Sequence, residues 1–155
     1  MPFVCRLTAP LPSAIATLLL AGENAYKLLI ESELLKLDSL QIRKVYFCKW
    51  PIQIRGHTAY EHVVVCRTDE DRIEVSCHGG SAISNAIIES LVPHSFGVTE
   101  DWQAASCYSC QLQRQAEEDL IRAETDQVAA ILLDQMNGSL SREILSLEVG
   151  LQSLA

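Results

Sequence analysis

The sequence predicts an α/β domain followed by a helical hairpin, and three observations carry that expectation. Short β-rich runs and one-sided helical patterns mix over the first two-thirds of the chain. The last third is helical in period, with no Gly or Pro between Gln111 and Met136. And 155 residues with 48% hydrophobic content are enough to bury one real core.

Phe3–Leu7 and Ala14–Leu20 are apolar runs separated by Pro10-Leu11-Pro12, and both read as buried strands. Gly22 ends the second. Glu23–Leu37 carries apolar residues at 25, 28, 29, 34, 35 and 37 among charged ones, the pattern of an amphipathic helix. Val45–Trp50 is β-branched and aromatic, and Pro51 is expected to end it after about six residues. Arg55–Glu61 reads as a loop. His62–Cys66 and Arg72–Cys77 are two further strands around a polar turn, a hairpin-like or crossover arrangement. His78-Gly79-Gly80 breaks the second strand, and Ser81–Leu91 is a helix with one apolar face, stopped by Pro93. Residues 92–110 carry no clear period. Gln111–Met136 is expected to be one helix of roughly seven turns. Asn137-Gly138 supplies a left-handed stop, and Ser139 can cap a second helix over Leu140–Leu154. The expected division is an α/β domain over 1–110 and an αα-hairpin over 111–155.

A formal net charge of −8 disfavours a free-standing nucleic-acid binder, because phosphate binding needs a basic face. The cations are scattered, with only Arg43 and Lys44 adjacent, so any nucleic acid is expected to be carried by a partner. Ala14–Ala21 mimics a short signal-peptide core, but Pro10 and Pro12 interrupt the approach and the run is only eight residues long. No stretch approaches the roughly 20 apolar residues of a membrane span. Six cysteines, mostly inside apolar runs, look like reduced, packed thiols, which points to the cytoplasm.

Few residues offer chemistry. Glu74 sits between Ile73 and Val75, so strand alternation turns it away from them; it is either a ligand carboxylate or a solvent-facing strand glutamate. His78-Gly79-Gly80 precedes a helix, where backbone N–H groups can meet an anion, although a tight turn alone would call for those glycines. Cys107 and Cys110 form a lone CxxC. Zinc needs a second pair, which Cys77 and His78 would supply if 92–110 folds back on the turn; otherwise the two thiols are core-facing. His57, His62 and His94 have no spaced partner that suggests catalysis. Trp50 and Trp102 read as core or interface anchors.

Several segments, in order, resemble the N-terminal region of the TrmE/MnmE family of tRNA-modification GTPases. Thr8–Gly22 (TAPLPSAIATLLLAG) is similar to its opening loop and strand, and Thr68–Gly80 (TDEDRIEVSCHGG) is the sharpest match. QAEEDLIRAE from Gln115 and LLDQMNGSLSREI from Leu132 resemble the start of its helical domain. The match runs over about residues 7–145.

The resemblance implies a tetrahydrofolate-binding-type α/β domain that also forms a homodimer, then a helical domain into which a GTPase domain is inserted. It implies a flavoprotein partner, MnmG, and modification of the wobble uridine of certain tRNAs, touched by this chain only indirectly. Folate, such as 5-formyltetrahydrofolate, would meet Glu74, with His78, Gly79 and Gly80 beside it. The departures are specific. No GxxxxGK[ST] phosphate loop occurs, so this stretch does not hold a nucleotide in the usual way and is expected to do no chemistry alone. Leu11-Pro12-Ser13 replaces a Gly-Arg-Gly loop, Leu19 replaces a ligand arginine, and a ligand lysine falls near Cys110. Three readings result: a degenerate module of such a GTPase, an independent interaction protein that kept the dimer fold and lost the ligand, and a zinc module using Cys77, His78, Cys107 and Cys110.

Overall fold

A computed structural model of the chain describes residues 1–9, 13–100, 106, 108 and 110–152. The chain divides into two compact units, Met1–Ala105 and Ser106–Ala155.

The first unit is built on a six-stranded sheet: β1 (Phe3–Arg6), β2 (Ile15–Ala21), β3 (Val45–Ile54), β4 (His57–Asp69), β5 (Arg72–His78) and β6 (Gly97–Thr99). Their order across the sheet is β3-β4-β5-β2-β1-β6. All neighbours are antiparallel except β1 and β6. Helices α1 (Ala25–Glu31) and α2 (Ser81–Leu91) cover one face. The main core lies between them and the sheet: Leu18, Leu20, Trp50, Val63, Val65, Ile73 and Val75 meet Ala25, Leu29, Ile87 and Leu91. Trp50 is wholly buried, and its indole N–H donates to Ser90 Oγ at 2.9 Å, fastening α2 to β3.

Four expectations are corrected. Pro51 does not end its strand. β3 continues to Ile54 with Pro51 opposite Tyr60, because β3 is an edge strand and a missing N–H can face outward there. Arg55–Glu61 is not a loop. Arg55 and Gly56, at φ 51 and 79, form the two-residue turn of a long hairpin, the positive φ values that match the twist of paired strands. α1 stops at Glu31 rather than Leu37, since Glu33 and Lys36 are left-handed at φ 57 and 50. Leu34, Leu35 and Leu40 are nevertheless buried, so the helix-like apolar spacing served an irregular turn. The fourth correction is in the second unit.

There, α3 (Gln111–Leu120), α4 (Asp126–Met136) and α5 (Ser139–Gln152) replace the expected long helix and its successor. The break falls before Asp126, where the Thr125 hydroxyl accepts from Val128 N–H at 3.2 Å as an N-cap. Gly138, at φ 84, makes the expected left-handed stop between α4 and α5. No helix among the described residues is long and apolar enough to cross a membrane.

Candidate functional site

The register fixes which side chains share the face of the sheet turned away from α1 and α2. On β5 these are Arg72, Glu74 and Ser76, opposite Ala21, Leu19 and Thr17 of β2. Glu74 also lies opposite Cys66 of β4, which in turn faces Val45 of β3. Toward β1 this outer face is closed: Leu19, Cys5 and Ala21 form a small buried cluster with Phe3. Toward β3 it is bare. Val45 is 65% exposed, Phe47 74% and Val64 40%, and the Phe47 ring stacks on His62 at 5.3 Å between centroids. Glu74 stands half-buried at the border between the two regions. Among the described residues its carboxylate has no hydrogen bond or ion pair.

At the end of β5, Glu61 is buried and its Oε1 accepts from the His78 backbone N–H at 3.0 Å and from Nδ1 of the same histidine at 2.5 Å. That fixes the imidazole by its inner nitrogen and leaves the ring otherwise exposed. Gly79 passes so close to Ser13 that a Cβ would sit 2.0 Å from the Ser13 carbonyl oxygen, and Gly79 N–H donates to Ala14 O at 3.1 Å. Gly80 N-caps α2 with open space around it. Below the turn, Arg6 donates to Ser84 Oγ at 3.0 Å and Asn85 Oδ1 at 2.7 Å, tying β1 to α2. Cys77 points into the core. Burial, helped by the nearby Glu61 carboxylate and opposed by Arg6, pushes its thiol up to about 11.

Cys110 belongs to the second unit, where it precedes α3 and contacts Ser141 Oγ at 3.2 Å. The Ser141 hydroxyl and the backbone N–H groups of Gln113 and Leu112 hold its thiol below the ordinary value. Cys107, Trp102, Leu11 and Pro12 lie outside the described residues. Among the described residues no group of three or more His, Cys, Asp or Glu side chains is placed to hold a metal ion.

Sequence reasoning picked out Glu74, His78, Gly79 and Gly80 and missed Glu61, Arg72 and Asp71. Asp71 accepts from the backbone N–H groups of Asn24 and Tyr26 at 3.0 and 3.2 Å, so the acidic turn anchors the start of α1. Nothing local marks Glu61 or Asp71, because their partners lie 17 to 47 positions away.

Comparison with known proteins finds similarity to one named group of relatives. The chain is 29% identical over 136 residues to the tRNA modification GTPase MnmE of Latilactobacillus sakei, covering 71% of this chain and 29% of that protein. With MnmE of Ligilactobacillus salivarius the identity is 29% over 165 aligned positions, covering 90% of this chain and 33% of that one. MnmE of Lactiplantibacillus plantarum is 34% identical over 82 residues, half of this chain. The similarity is to MnmE. The chain spans about a third or less of the length of these MnmE relatives. No family model matches it. Among solved structures, the glycine cleavage system aminomethyltransferase T of Bartonella henselae aligns with 62% of this chain and 24% of its own, at 18% identity and a TM-score of 0.42.

Proposed function

We propose that this chain is the dimerisation and folate-binding module of an MnmE-like tRNA-modification GTPase, with a tetrahydrofolate-binding-type α/β unit and no chemistry of its own. Two copies pair through the α/β unit. The module serves wobble-uridine modification in the cytoplasm together with an MnmG-like flavoprotein, and touches tRNA only through that assembly.

The observation that carries the reading is Glu74. It is the ligand position that survives in the resemblance, and it lies unpartnered on the outer sheet face, between buried Leu19 and the bare apolar strip of β3 and β4. The Glu74 oxygens are still reached by solvent, so the carboxylate is free to accept from a bound donor edge, and hydrogen bonds to an ionised group are the strong ones. The 2-amino group and N3–H of a pterin ring are such an edge, and a carboxylate accepts both in parallel. His78 ends the same strand, and Gly79 and Gly80 form the turn from it into α2.

Titration of the purified chain with 5-formyltetrahydrofolate by calorimetry tests this. Binding at micromolar strength or better, roughly −8 kcal/mol, is expected, and Glu74→Ala is expected to abolish it with little change in Tm. No binding by the native chain would overturn the folate reading and leave a scaffold whose bare outer face serves assembly alone.

A further inference from the structure

We propose that Arg72 is the second ligand-contacting group on the outer face, and that Arg72 and Glu74 together read the 2-amino-4-oxo edge of a pterin-like heterocycle. This rests on the folate reading above and gives it a chemistry that the resemblance does not supply.

The charged side chains of the first unit are unevenly satisfied. Among its described residues, three acidic side chains are at least half-buried: Glu61, Asp71 and Glu74. Glu61 is engaged by His78, and Asp71 by the backbone of Asn24 and Tyr26. Three arginines are half-buried as well: Arg6, Arg67 and Arg72. Arg6 is held by Ser84 and Asn85. Arg67 donates to Glu70 O at 2.7 Å and lies over the Tyr26 ring at 3.5 Å. Only Glu74 and Arg72 are left without a hydrogen bond or ion pair, and they stand two residues apart on the same face of β5.

Their Cα atoms are therefore about 6–7 Å apart at roughly 3.3 Å per residue. Each sits across from a closed apolar partner, Glu74 from Leu19 and Arg72 from Ala21. The two charges are not joined to each other and their polar atoms are still reached by solvent, so an acceptor and a donor fork stand free, side by side, for a third body. That body needs donors for the carboxylate and an acceptor for the guanidinium. A negatively charged group suits the site poorly, since the Glu74 carboxylate offsets the field of Arg72 over this distance. A neutral ring edge with two adjacent N–H donors and a carbonyl oxygen fits both: N3–H and the 2-amino group donate to Glu74, and the 4-oxo oxygen accepts from Arg72.

The test compares two probes on the full chain by calorimetry: 5-formyltetrahydrofolate, which has the 4-oxo group, and a 2,4-diaminopteridine antifolate, in which an amino donor replaces it. Arg72→Ala is expected to weaken 5-formyltetrahydrofolate by about 10- to 100-fold and to leave the 4-amino compound unweakened, while Glu74→Ala loses both. Arg72→Lys is expected to recover part of the loss for the 4-oxo compound alone. Native binding that depends on Glu74 but is untouched by Arg72→Ala overturns this inference and leaves the folate reading standing. Equal loss of both probes on Arg72→Ala, with a fall in Tm, marks Arg72 as structural and overturns it too. No binding by the native chain overturns both.

Discussion

Only a hydrogen fits on Gly79 toward Ser13, whereas Gly80 beside it has open space where a side chain would go. The two glycines of one motif thus do different work: the first permits a close backbone approach, and the second leaves the start of α2 uncovered. The same resolution by environment separates the cysteines. Cys77 is sealed in the core with its thiol pushed up to about 11, while hydrogen bonds from Ser141, Gln113 and Leu112 hold that of Cys110 down. Only a thiolate is nucleophilic, so in native protein at about pH 7.5 iodoacetamide is expected to label Cys110 well ahead of Cys77. Mass spectrometry of a labelling time course checks this, and comparable rates at the two residues would refute it. Of the residues named from sequence, Glu74 was singled out by the resemblance, and strand alternation, visible in a few letters, placed it on the face away from Ile73 and Val75. Arg72 was read only as part of a strand, because its lack of a partner is a property of the whole fold.

At the scale of elements, strands and helices showed in the sequence wherever their apolar pattern was their own. β2, β5 and α2 lie within a residue of the expected bounds, since each alternates or repeats against the core without interruption. β3 and β4 were longer than expected, because Pro51 was read without knowing that β3 is an edge and Arg55-Gly56 is not one of the common turn pairs. β6, only Gly97–Thr99, is too short to show a period and exists through its parallel pairing with β1. The expected helix over 111–136 divides at Thr125, a cap with no Gly or Pro to announce it. Removing that hydroxyl in Thr125→Ala is expected to lower stability by about 1 kcal/mol. Urea unfolding followed by circular dichroism measures this, and an unchanged midpoint would mean that the cap contributes nothing to holding α4.

On the scale of the whole molecule, the outer face is apolar where it is bare. Val45, Phe47 and Val64 stand exposed on two adjacent strands, with Lys49 and His62 at one margin. At 25 cal/mol per Å² of buried apolar surface, covering such a strip is favourable by several kcal/mol before the costs of association. For the proposed pairing of two copies through the α/β unit, this strip is the natural contact. Phe47→Glu, at a position already 74% exposed, is expected to leave the fold intact and to convert a dimer to a species of one chain's mass by light scattering. A dimer that persists would place the contact elsewhere.

The sequence by itself determined the mixed α/β class, the helical last third and the likeness to MnmE, because hydrophobic period and ordered motifs are written locally along the chain. The tertiary structure decided the strand order, the edge position that lets Pro51 remain in β3, the burial of Glu61 against His78, and the isolation of Arg72 and Glu74 on one face. Each of those depends on which distant segment becomes a neighbour. Pairing and burial are set by the summed packing of the sheet and its helices, and no single stretch of sequence contains that sum.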